Sequence, residues 1–126
     1  MADDSFDLDA SSLRADGADL AVYLEVLARK LEAALPAETD VQRRSKGFLS
    51  REKVVEAIEV TLGDRRYALR REGRGVSGSR AQEVRGVVIK REPLELDAWV
   101  RALTDQLGEL AAGSAAARSA LERLVD

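Results

Sequence analysis

Apolar residues follow three different rhythms along this chain, and each rhythm predicts a different element. Leu20, Leu24, Leu27, Leu31 and Leu35 recur at spacings of three and four, which puts them on one face of an α-helix beginning near Asp19. Asp16 or Asp19 can cap its start. Pro36 stops it, because the residue before a proline is driven out of the helical region. From Val54 to Leu62 the period shortens to two, with Ile58, Val60 and Leu62 on one side and Glu59 and Thr61 on the other. Gly63-Asp64 then suits a two-residue hairpin turn, and Arg65 to Glu72 returns antiparallel.

That turn fixes a register. Leu62 faces Arg65, Val60 faces Tyr67, Ile58 faces Leu69 and Glu56 faces Arg71 on one side. Thr61 faces Arg66, Glu59 faces Ala68 and Ala57 faces Arg70 on the other. A slip of one residue would exchange the two faces, so the pairing is well specified. The second face is expected to be wet and largely basic.

The flanking elements are read more coarsely. A short first strand is expected around Val41, followed by a loop from Lys46 to Ser50. Gly73-Arg74-Gly75 is a turn, Val76 to Arg80 and Val84 to Lys90 are further strands, and Gly86 is expected to mark a bulge. Pro93 ends the sheet and Asp97 caps the last helix.

The third rhythm is a heptad. Leu96, Leu103, Leu110, Ala117 and Leu124 fall seven apart, and Val100, Leu107, Ser114 and Leu121 repeat with an offset of four. Such a two-position seam is the signature of helix-on-helix packing. Gly113-Ser114 interrupts it. The pair could split the helix, Gly113 ending one piece and Ser114 capping the next, or its small side chains could admit a partner helix. The expectation is a continuous or slightly kinked helix.

The predicted architecture is α+β: an N-terminal helix, a three- to four-stranded antiparallel meander, and a long C-terminal helix packed on one sheet face. Residues 1–18 are expected to form an acidic flexible tail and residues 19–126 a single domain. A length of 126 residues accommodates one domain. With aromatics at 4% of residues, the core must be built from Leu, Val, Ile and Ala.

Charge changes this picture more than composition does. Residues 1–40 hold 10 acids and 3 bases, residues 41–91 hold 14 bases and 6 acids, and residues 92–126 hold 7 acids and 3 bases. The chain is therefore acidic–basic–acidic around a net charge of −3. Arg43, Arg44, Arg66, Arg70 and Arg74 are the candidate partner-binding residues of the basic sheet, since guanidinium forks grip carboxylate and phosphate. The competing reading is that Glu56, Glu59, Glu72 and the acidic helices neutralise them. Cysteine and histidine are both absent. That removes disulfides, thiolate nucleophiles, Cys-ligated zinc and the usual proton shuttle, and it suits a cytoplasmic protein. The opening residues MADDSFDLDA have neither a basic nor an apolar region, so a signal peptide is not expected, and no apolar run approaches the ~20 residues of a membrane helix, so membrane insertion is not expected either.

Three motifs have the spacing of known chemistry. Gly73-Arg74-Gly75-Val76-Ser77-Gly78 spells GxGxxG, but no helix follows it, so the dinucleotide reading yields to a hairpin turn. Asp7, Asp9 and Ser11 have calcium-loop spacing but lack the glycine and the bidentate glutamate. Glu56/Glu59 and Glu92/Glu95 are carboxylate pairs better read as solvated charge. No catalytic, cofactor-binding or metal-ligating residues are therefore expected, and the protein is not read as an enzyme.

The expected function is a non-enzymatic protein–protein interaction module, a small adaptor, assembly or chaperone-like subunit meeting an acidic protein partner. Self-association as a homodimer is expected through Trp99, Val100, Leu103, Leu107, Leu110, Leu121 and Leu124. In element order the chain resembles the YbaB/EbfC nucleoid-associated proteins, which implies a dimer binding DNA non-specifically as the alternative. The size, acidic pI of about 5.1 and expected dimerisation are also those of small secretion chaperones.

Overall fold

The computed structural model describes residues 17–125; most of the expected acidic tail, and the Asp7/Asp9/Ser11 motif, lie outside them. The elements run α1 (Gly17–Ala34), β1 (Thr39–Ser45), β2 (Lys53–Leu62), β3 (Arg65–Glu72), β4 (Gly75–Val84), β5 (Val87–Leu94), α2 (Leu96–Leu110) and α3 (Ala115–Val125). The strands form one antiparallel meander in the order β1-β2-β3-β4-β5. All three helices belong to a layer on one side of it, α1 over β1 and β2, α2 over β3 to β5, and α3 against both α1 and α2. The α+β class holds, with five strands instead of three or four and two C-terminal helices instead of one.

The central hairpin has the register that its turn and pattern demand. Leu62 pairs with Arg65, Val60 with Tyr67, Ile58 with Leu69 and Ala57 with Arg70. Glu56, however, does not sit opposite Arg71. The β1–β2 register shifts between Gln42 and Arg43, which pair with Ala57 and Val55. Glu56 is the extra residue, and a bulge of this kind bends the strand and re-aims side chains. Val55 consequently faces the core, where it is buried, while the Glu56 carboxylate lies near Arg44 and Arg70 on the open face.

The expected boundary between the last two strands is also revised. Their turn is Arg85-Gly86, with φ of 54° and 81°, the left-handed pair that a type I′ hairpin requires. Gly86 is thus a turn residue. The bulge lies beside it, where the register shifts between Gln82 and Glu83. Pro93 does not end the sheet: it pairs with Ser79 inside β5, which an edge strand tolerates because the missing N–H faces outward. Glu95, not Asp97, is the N-cap of α2.

The leucine stripe of α1 and the inner faces of β2 and β3 meet in one core, closed by α2. Trp99 and Tyr67 are fully buried and pack edge to face with ring centroids 6.1 Å apart. The Tyr67 hydroxyl donates to Gln106 Oε1, so the ring's polar end is satisfied. Each buried leucine contributes about 2 kcal/mol of transfer free energy.

The C-terminal seam breaks where its sequence is weakest. Gly113 N–H donates to Leu110 O at 3.1 Å, closing the end of α2. Ser114 Oγ accepts from Ala117 N–H at 3.1 Å and caps α3. Of the two readings of Gly113-Ser114, the split is the one realised. Ala117, Ala120 and Leu124 of α3 are then buried against the other helices, and Lys30 Nζ donates to Arg123 O at 2.9 Å.

Candidate functional site

Trp99, Val100, Leu103, Leu107 and Leu124, expected as a self-association seam, are all buried within the chain's own core. Leu121 is half-buried against that core, and Leu110 alone remains exposed, at 39%. The seam serves intramolecular packing between α1, α2 and α3, so these buried side chains are not available to a second copy.

The candidate basic residues scatter. Arg43 points to the helix side of β1 and is held by two α1 carboxylates, Glu25 at 3.1 Å and Glu32 at 3.0 Å. These contacts raise the Arg43 guanidinium above its ordinary value, with Glu32 the larger influence. Partial burial would raise the Glu25 carboxyl, but Arg29 and Arg43 together outweigh it and hold it below the usual range. On the open face, Arg66 reaches Glu83 at 2.7 Å and Glu59 at 3.8 Å. Arg70 and Arg44 share Glu56 at 3.6 and 3.9 Å. Arg74 sits in the β3–β4 turn with no ion pair among the described residues.

By register, the open face carries Arg44, Arg66, Arg70 and Arg91 alongside Asp40, Glu56, Glu59 and Glu83. Small residues, Ala57, Ala68, Ser77 and Ser79, pave its centre. It is close to charge balance, not uniformly basic. Arg80, on the helix side, is bound by Glu92 through a 2.9 Å Nε contact and a second contact from Nη2. That pairing raises the Arg80 guanidinium and lowers the Glu92 carboxyl.

A different surface gathers unsatisfied groups. Between the first half of α1 and the facing ends of β1 and β2 lies an open groove of about 670 Å³. Its lining is apolar at Ala21, Val22, Val26 and Val55 and cationic at Arg29, Lys46, Lys53 and Arg71; Arg44 and Val54 also border it, although their register turns both toward the open face. Val22 and Val26 are 65% and 42% exposed. The lining acid, Glu25, is already engaged by Arg29 and Arg43. Lys53 and Arg71 make no ion pair among the described residues, and the buried Arg71 Nε has no hydrogen-bond partner among them. The bulge explains this: it carries Glu56 to the open face and leaves Arg71 without its cross-strand acid.

The β1–β2 loop starts from this groove, whose lining includes Lys46 and Lys53 at the loop's two ends. Its tip exposes Phe48 at 94% and Leu49 at 88%. Leu49 has φ of 67°, a left-handed conformation that costs a leucine about 1 kcal/mol or more. Ser50 N–H donates to Gly47 O at 3.0 Å and Ser50 Oγ accepts from Glu52 N–H at 3.1 Å, so the tip is internally braced. Two adjacent exposed apolar side chains on a braced loop resemble an interaction surface more than a solvated turn.

Sequence reasoning passed over Val22, Val26, Phe48, Leu49, Lys53 and Arg71. A signal existed for the two valines, which lie four apart on α1 but off its leucine stripe. For Arg71 none did, because its freedom depends on the bulge.

Among the described residues no group of three or more acids, histidines or cysteines could hold a metal ion, and no helix is long and apolar enough to cross a membrane. No family model, curated protein or solved structure matches the chain.

Proposed function

We propose that this protein is a non-enzymatic protein-interaction module, an adaptor or assembly subunit, whose working surface is the groove beside α1 and whose partner is an acidic segment of another protein. The observation that carries this reading is an apolar lining beside Lys53 and Arg71, two cations that make no ion pair among the described residues. Apolar floors supply affinity and charged rims supply orientation and on-rate. The open sheet face is less suited, because its arginines already have carboxylates within the same sheet. A chain without histidine or cysteine has few groups for acid–base or nucleophilic work at neutral pH. The same lack of cysteine suits a cytoplasmic setting.

Affinity capture with the full chain, followed by cross-linking, tests the assignment. Reversing the rim with Lys53→Glu and Arg71→Glu is expected to abolish retention of the partner. Reversing the open face with Arg66→Glu and Arg70→Glu should leave it. The opposite pattern would return the function to the sheet. A gel shift with duplex DNA that weakens steeply with salt would favour backbone binding instead.

A further inference from the structure

Within that reading, we infer that the groove's occupant is a single amphipathic helix of the partner, aliphatic on one face and acidic on its flanks, laid beside α1 as an extra member of the helix layer. The inference rests on the proposed function for the groove but specifies the shape of what binds.

Three features select a helix. Val22, Val26 and Arg29 form a ridge on α1 at spacings of four and three, outside the stripe that faces the core. Ridges of this kind interlock with the grooves of a neighbouring helix. The lined stretch, Ala21 to Arg29, spans about 12 Å at 1.5 Å per residue, close to two helical turns. Finally, Val55 of β2 lines the groove together with the α1 ridge, so an inserted helix would rest on both elements, as α2 rests on sheet and helix elsewhere in the fold.

The rim selects the charge. Arg29, Arg44 and Lys46 have one carboxylate contact each, and Lys53 and Arg71 have none among the described residues. A second copy presenting the same end would bring two cationic rims together, and like-charge juxtaposition disfavours it. A nucleic-acid backbone would meet the cations but leave the valine floor unfilled. Glutamates on the flanks of a helix satisfy both.

Because the chain has no cysteine, Val26→Cys places a single reporter thiol on the floor. Val22→Cys is a second reporter should the first variant lose the wild-type circular dichroism. Three designed peptides of about 18 residues serve as probes, a length at which an isolated helix is viable. One has leucines on one helical face and glutamates on its flanks, one replaces each glutamate with lysine, and one keeps the glutamates but carries a central proline. The acidic helical peptide, at about ten times its Kd, is expected to slow alkylation of the thiol about tenfold. The lysine and proline peptides should leave the rate unchanged, and 0.5 M salt should relieve the protection, an ionic strength of the order at which surface charges are screened. Equal protection by the proline peptide would overturn the helix while leaving an acidic partner in place. Equal protection by the lysine peptide, or none by any peptide, would overturn the inference itself. Loss of capture in the rim-reversal experiment is read separately and judges the groove.

Discussion

Gly78 is the position where one added carbon should cost the fold most. It lies in β4 opposite Leu94, beneath the Trp99 ring, and it is buried. A Cβ there would stand 2.5 Å from Leu94 O, 3.1 Å from Leu69 Cδ2 and 3.2 Å from Trp99 Cδ1. Carbon and its neighbours repel inside about 3.5 Å. The nearest obstacle is backbone inside a paired strand, and the indole cannot withdraw because Tyr67 and the core hold it. Overpacking of this kind costs about 3 kcal/mol. The reduced entropy of the unfolded chain returns somewhat under 1 kcal/mol for Gly→Ala, leaving a net loss of about 2 kcal/mol. For a domain this size that corresponds to a fall in Tm of about 8 °C. Gly75→Ala is the control, since its nearest neighbour would be Glu72 O at 3.9 Å, and it should lie within about 0.5 kcal/mol of wild type. Urea unfolding followed by the fluorescence of Trp99, the sole tryptophan, measures both. Gly78→Ala as stable as Gly75→Ala would refute the packing of α2 against β4 and β5.

Other expectations follow from burial, capping and charge. Leu103→Ala should lower stability by about 3 kcal/mol, and Leu110→Ala by less than about 1 kcal/mol, because the first is fully buried and the second is exposed; urea midpoints separate them, and equal losses would contradict the helix break. Ser114→Ala removes the cap of α3 and should cost about 1 kcal/mol, seen as a lower thermal midpoint. The Glu25 carboxyl is held below its ordinary 4.5, so its contribution is present at neutral pH and lost as pH falls through its depressed folded value. Glu25→Gln should therefore be less stable than wild type at pH 7 by about 1 kcal/mol, discounted for partial exposure. The gap should close as the pH falls below the ordinary carboxylate range, as denaturation at a series of pH values would show.

Much of the fold was legible because local chemistry and global packing agreed. Leucine spacing gave α1 to within two residues at its start, and Gly63-Asp64 with the alternation beyond it gave the β2–β3 register from Leu62–Arg65 to Ala57–Arg70. The failures have physical causes. The turn at Arg85-Gly86 was hidden because arginine is an unusual left-handed residue, so glycine alone suggested a bulge. The heptad spacing announced helix packing, yet periodicity carries no information about whether the facing helix belongs to the same chain. Gly113-Ser114 turns the second half back, and α3 meets α1 and α2 of its own molecule. The GxGxxG residues form the turn between β3 and β4 and the start of β4, the expected hairpin, but the reason for the last glycine, close approach of Trp99, is visible only in three dimensions. The basic region was legible as composition and illegible as a surface, because alternate residues of each strand face opposite sides.

The single surplus residue in β2 has a consequence for how such a surface could arise or vanish. Removing it would restore strict alternation with Val55 still turned to the interior, and would take from Arg44 and Arg70 the carboxylate they share. Deleting one codon would thus bare two cations on the far side of the sheet while leaving the valine beneath the cleft in place. Whether those guanidinium groups are sheltered is therefore tied to the chain's length.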